Sequence, residues 1–171
     1  DLAQSPSFRS LQRLNLAINP TTDQAAVALA HSSSLTQLRS LSMGRNSLTT
    51  QALEALAQSS LPLVHLELQM NQIEDLRVLG HSTLHALEWL DLSQNQLRSE
   101  AIVAFAARGH LPSLRTLHLS GNMVEDDGLI ALLESPLCLS LEALQLDRCQ
   151  LTDEAILALA ASPQLKQLKT L

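Results

Sequence analysis

The sequence predicts a right-handed α/β solenoid, a horseshoe with parallel strands on the concave face, helices on the convex face, and about six repeats plus a partial seventh. Three observations predict it. One frame, LxxLxLxxNxL, recurs six times in unbroken phase; segments rich in Ala and Leu fill the intervals between frames; and 40 of the 171 residues are Leu, against two Phe, one Trp and no Tyr. So few rings cannot anchor the core of a sandwich or barrel. A chain that is 46% hydrophobic and 16% charged nevertheless has the apolar content to fold.

The strand element comes first in each repeat. The copies run Leu11-Leu14-Leu16-Asn19, Leu38-Leu41-Met43-Asn46, Leu63-Leu66-Leu68-Asn71, Leu87-Leu90-Leu92-Asn95, Leu114-Leu117-Leu119-Asn122 and Leu141-Leu144-Leu146-Cys149. Seventeen of the eighteen leading apolar slots hold Leu and one holds Met43, where composition alone would place about four leucines. The Leu-x-Leu spacing has period two, so both leucines face the core and the residue between them faces solvent. Strands that recur at a fixed period with a return segment between them run parallel and bond repeat to repeat. The Asn after each strand marks the turn away from the sheet, where its amide can satisfy backbone groups that would otherwise be buried unpaired. Successive Asn or Cys marks lie 27, 25, 24, 27 and 27 residues apart. The frame and its period resemble the leucine-rich-repeat family over essentially the whole chain, and Cys149 fills the Asn slot as that family often allows.

The return segments follow. Residues 22–30, 50–57 and 152–160 each open on Thr, with Asp23 and Asp153 next in two of them, ahead of an Ala/Leu run, which reads as a helix start. Small residues recur at Ala25/Ala28, Ala52/Ala55, Ala101/Ala104, Gly128/Ala131 and Ala155/Ala158, so one helix face can approach the sheet closely. The run from Leu151 to Ala160, LTDEAILALA, and the 27-residue length are similar to the ribonuclease-inhibitor-like subfamily. They also resemble bacterial GALA-type effectors and other bacterial repeat arrays. That resemblance implies convex α-helices and a non-catalytic protein-binding module in a bacterial protein. The alternative it implies is the substrate-recruiting arm of a larger enzyme, such as an effector, whose catalytic domain lies outside this segment.

The third repeat is shorter. After Ile73 it reads from Glu74 to His81 without the Ala pair, so a short or irregular helix is expected there. The polar lead-in from Asp1 to Ser7 is brief, and Leu165-xx-Leu168-xx-Leu171 repeats the approach to a seventh strand. Residues 1–171 are read as one domain, a piece of a longer chain, with self-association through uncapped solenoid ends as one outcome.

Charge and chemistry exclude several function classes. A net charge of −6 with 11 Lys and Arg gives no basic cluster for nucleic acid. No apolar run reaches the roughly 18 residues of a membrane helix, and the opening Asp1-Leu2-Ala3-Gln4 is no signal peptide. Cys138 and Cys149 flank a strand, beyond disulfide reach, and are read as one loop thiol and one buried ladder thiol in a cytoplasmic, intracellular protein, delivered into a host cell if it is an effector. His31, His81 and His110 follow return segments and are read as caps near helix C-termini. His85 has no partner evident from the sequence. Ten acids, among them Asp23, Glu125, Asp126 and Asp127, fall in turns and helix starts and are read as solvated helix N-termini. No catalytic residue, cofactor or metal ligand is assigned, because a sheet of short side chains offers no water-excluded pocket and no nucleophile with its base.

Function is therefore expected on the outward strand face. Positions three, five, seven and eight of each frame leave the core side. Position three reads Arg13, Ser40, His65, Trp89, Thr116, Ala143, and position five reads Asn15, Ser42, Glu67, Asp91, His118, Gln145. With the turn positions the face has the size of one side of a standard protein interface, with Glu67, Asp91 and Asp147 balancing Arg13, Arg45 and Arg148. Trp89, the one Trp, lies between His65 and Thr116 and has the composition of a hot spot. The residues assigned to contact with a protein or peptide partner are Arg45, His65, Glu67, Gln69, Met70, Trp89, Asp91, Gln94, His118 and Arg148.

Overall fold

Each frame forms a three-residue strand in the computed structural model, which describes residues 5–171: β1 Arg13–Asn15, β2 Ser40–Ser42, β3 His65–Glu67, β4 Trp89–Asp91, β5 Thr116–His118 and β6 Ala143–Gln145. The strands form one parallel sheet in the order β1 to β6. Its register stacks Leu14, Leu41, Leu66, Leu90, Leu117 and Leu144 in one column. From Leu41 to Leu144 that column is fully buried, and the residues on either side of each leucine point away from the core. The period-two reading of the frame is thus the observed geometry.

Backbone pairing continues past the strands. The sixth-position N–H groups of Leu16, Met43, Leu68, Leu92 and Leu119 each donate to the fifth-position carbonyl of the next repeat at 2.7–2.9 Å. Beyond them the eighth residue of every frame adopts the left-handed conformation: Ile18, Arg45, Met70, Gln94, Gly121 and Arg148 have φ between 52° and 73°. Non-glycine residues visit this region at a cost of about 1 kcal/mol. The turn is retained because each of the first five still donates its N–H to the next repeat, as Met70 does to the Ser93 carbonyl at 2.8 Å.

The turn also aims the Asn side chain back under the sheet. Asn71 Nδ2 donates to the carbonyls of Met43 and Leu68 at 3.0 Å, while its Oδ1 accepts the N–H groups of Asn46 and Leu48. Asn46, Asn95 and Asn122 repeat the arrangement. Cys149 keeps only the donor half of the pattern, Sγ to the Leu119 carbonyl at 3.4 Å.

Five helices return the chain on the convex side: α1 Asp23–Ala30, α2 Thr50–Ala57, α3 Ser99–Arg108, α4 Glu125–Glu134 and α5 Asp153–Ala161. Thr49 and Thr152 cap α2 and α5 through their hydroxyls. Ala52, Ala101, Gly128 and Ala155, the first members of four of the five small-residue pairs, are buried, whereas their partners Ala55, Ala104, Ala131 and Ala158 stay partly exposed; in Ala25/Ala28 neither member is buried. A Cβ at Gly128 would lie 3.3 Å from the Ile102 Cβ, so the small side chain sets the approach of α4 to α3. In the short third repeat a 3-10 helix, Arg77–His81, takes the place of an α-helix and packs against both α2 and α3. At the far end Leu144 N–H bonds the Thr170 carbonyl, which begins the seventh repeat.

Several side chains depart from expectation. Cys138, read as a loop thiol, is fully buried in the 3-10 helix Pro136–Leu139, and burial pushes its thiol up to about 11. Of the three expected histidine caps, His31 acts as one, its Nδ1 lying 2.8 Å from the Val27 carbonyl. His110 instead meets His85 edge to face at 5.5 Å, the partner His85 lacked, and the cap residues after α3 and the Arg77–His81 turn are Gly109 and Ser82. Two of the acids do more than sit at helix starts: Asp23 accepts both the N–H and the hydroxyl of Thr49 at 2.7 Å, and Asp126 does the same for Thr152. These carboxylates clamp one repeat to the next.

Candidate functional site

The outward residues of β3, β4 and β5 converge on Trp89. Parallel register sets His65 beside Trp89 and Trp89 beside Thr116, with Glu67, Asp91 and His118 forming the neighbouring column. Strands about 4.8 Å apart bring flat side chains at one position into ring contact. His65 stacks on the indole with centroids 3.9 Å apart and planes 10° apart, and His118 meets it edge-on at 4.9 Å and 67°. The indole is consequently half-buried between two imidazoles rather than freely exposed. Such contacts restrain its rotamer, which lowers the ordering cost when a partner packs on it.

Each histidine comes with a carboxylate. His65 Nε2 lies 3.1 Å from Glu67 Oε1, and the Ser42 hydroxyl donates to Glu67 Oε2 at 2.6 Å. Burial opposes the charge on Glu67, but the Ser42 hydroxyl, the His65 ring and the Gln69 amide together hold its carboxyl below the usual carboxylate value. Asp91 Oδ1 accepts the Ser93 N–H at 2.8 Å, while Oδ2 faces His118 Nδ1 at 3.9 Å, beyond hydrogen-bond length. Asp91 is 9% exposed and Ser42 8%, so position five is deeper than position three.

The remaining assigned residues lie nearer the Asn turn. Gln69 folds over Gly44 so closely that a Cβ there would lie 2.5 Å from the Gln69 Cδ, so a larger residue would push the Gln69 amide aside. Arg45 Nε donates to Met70 Sδ at 3.0 Å, and Gln94 packs over Gly121. Arg148 is exposed in the sixth repeat, apart from the cluster around Trp89. Thus His65, Glu67, Trp89, Asp91 and His118 form one contiguous group, with Gln69, Met70, Arg45 and Gln94 on its turn-side border. No group of three or more His, Cys, Asp or Glu among the described residues is placed to hold a metal ion.

A second concavity escaped the sequence reading. A groove of about 660 Å³ opens on the convex side, where the third repeat lacks its α-helix, lined by Glu74, Asp75, Arg77, Arg98, Glu100 and Ala104. Asp75 and Arg77 form an ion pair at its wall. The signal was the 24-residue spacing between Asn71 and Asn95, which removes about one helical turn of chain.

No helix among the described residues is long and apolar enough to cross a membrane. No curated protein matches the chain. Among solved structures it is similar to an internalin from Listeria monocytogenes, with a TM-score of 0.64 and 21% sequence identity, over 99% of this chain and 50% of that one. The chain therefore spans about half the length of that structure, and the likeness is one of fold. Two family models, each described as a leucine rich repeat, match residues 62–124 and 137–160, together just over half of the chain. Matched in sequence by those models and in backbone by an open six-stranded solenoid with helices behind it, the chain belongs to the leucine-rich-repeat family.

Proposed function

We propose that the chain is a non-catalytic binding module that holds a protein or peptide against its concave face, centred on repeats three to five. The observation that carries this reading is the His65–Trp89–His118 ring cluster in the middle of the strand face. A preordered aromatic anchor flanked by Met70 and polar residues is the composition of a hot spot, and the rigid ladder beneath it keeps its geometry. The convex helices of eight to ten residues support the ribonuclease-inhibitor-like subfamily. The buried thiols of Cys138 and Cys149 are consistent with a reducing, cytoplasmic setting. Residues 1–171 are read as a single repeat domain. Whether it recruits substrate for a catalytic domain elsewhere in a longer bacterial protein is decided by the flanking sequence of the gene product.

Capture of partners from a lysate of the source cell by wild type, Trp89→Ala and Glu67→Ala tests the surface. A partner held by wild type and weakened at least tenfold by Trp89→Ala is expected. Equal capture by all three forms removes the concave face as the binding surface.

A further inference from the structure

The concave face balances three acids with three bases, but the strand register segregates them. Arg13 lies in the first repeat, Arg45 in the turn of the second and Arg148 in the turn of the sixth, next to Asp147. No Lys or Arg occupies an outward strand position from Ser40 to Gln145. At the centre, Glu67 and Asp91 are direct neighbours in register on β3 and β4. Like charges side by side on adjacent strands are destabilising, and the one structural bond Asp91 makes, to the Ser93 N–H, is of the kind that neutral Asn15 makes to Ala17 at the same frame position.

Only part of their charge is met from within. Glu67 is held by Ser42, His65 and Gln69, and Asp91 by the Ser93 N–H. Asp91 is 9% exposed, and the nearest cation-forming group to its Oδ2 is His118 at 3.9 Å. On the turn side, Arg45 directs its Nε to Met70 Sδ rather than to either carboxylate. The other outward neighbours, Ser40, Thr116, Ala143 and Gln145, carry no charge, and on the rim Arg115 pairs with Glu142. Among the described residues the Trp89 indole N–H has no acceptor. Among the described residues no Lys or Arg lies within ion-pair distance of either carboxylate, whose ion-pair neighbours are the rings of His65 and His118.

We propose that the Glu67–Asp91 pair beside Trp89 receives a lysine or arginine side chain of an extended protein partner. The partner's cation supplies the charge that the sheet centre lacks, its aliphatic stem packs on the indole edge, and a partner carbonyl accepts the Trp89 N–H. This rests on the concave-face reading and adds the chemistry of what is recognised.

The test is calorimetric titration of the purified chain with three glycine-based hexapeptides carrying two arginines, two glutamates or two serines, with Trp89 emission as a second readout. Saturable binding of the arginine peptide alone is expected at pH 7.5. Binding should be weakened about tenfold or more by Asp91→Asn. The Asn variant retains an acceptor for the Ser93 N–H, so folding is preserved and checked by circular dichroism; Glu67→Gln, which keeps an acceptor for Ser42, should weaken binding in the same direction. Equal affinity for the three peptides, no saturable binding of the arginine peptide, or indifference to Asp91→Asn overturns the proposal. A partner that is lost with Trp89→Ala but retained with Asp91→Asn upholds the concave face while overturning its basic-residue specificity.

Discussion

The first frame carries the same pattern of leucines as the inner ones and has a different fate, which the last frame shares at Leu146 alone. Leu41, Leu66, Leu90 and Leu117 are fully buried, whereas Leu14, Leu16 and Leu146 in the outer repeats are half-buried. The Asn ladder shows the same division: Asn71 and Asn122 are buried and bond a carbonyl of the preceding repeat, while Asn19 is exposed and bonds only carbonyls of its own turn. A repeat's stability thus belongs to its interfaces, since an identical side chain contributes what its neighbours cover.

The sharpest way to break this comparison is at the leucine column. Leu66→Ala should cost about 3–4 kcal/mol in chemical denaturation, because its cavity lies between two packed repeats, whereas Leu14→Ala should cost about 1 kcal/mol. Equal costs at the two sites would show that the outer repeat is as tightly packed as the inner ones. Next in size, Asn71→Ala should cost about 2–3 kcal/mol, since it strands the Met43 and Leu68 carbonyls and two N–H groups. The same change at the exposed Asn19 should stay within about 0.5 kcal/mol.

Smaller and opposite in sign is Cys149→Asn. It restores the acceptor half of the ladder for the fifth repeat and should raise stability by about 0.5–1 kcal/mol, read from the urea midpoint. The smallest effect is acidic. Glu67 has a folded-state value below its ordinary 4.5, so the stability it contributes is fully present above the unfolded value and is lost as pH falls below about 4.5. Glu142, partly exposed in the sixth repeat and held low by Lys169 and Arg115, shifts the same way, with more screening. Denaturation of Glu67→Gln between pH 3 and pH 7 should show a shallower acid slope than wild type, and Glu142→Gln a smaller change.

Much of this was legible before any coordinates. Seventeen leucines in one phase dictate which residues share a face, and the residue between paired leucines is on the outer face in all six repeats. That is why Trp89, His65 and His118 could be placed together from spacing alone. The gap after Ile73 announced the 3-10 turn at Arg77–His81. Less accessible were matters that depend on contacts between repeats. The Asp126–Thr152 clamp spans 26 residues, and the burial of Asp91 depends on the ring of His118 and the turn at Ser93. Phe105, the largest fully buried side chain, packs on Gly109 so tightly that a Cβ there would lie 2.5 Å from its ring, and nothing in the frame marks that pair.

By itself the sequence determined the repeat, the strand faces, the parallel order and the column of Asn turns, because periods of two and of about 27 residues translate directly into backbone geometry. Only the tertiary structure decided which carboxylate is deep and which shallow, how the indole rests between two imidazoles, and where the convex groove opens. Those properties arise between repeats, where depth and charge are set by whichever side chains the neighbouring turn of the solenoid happens to present.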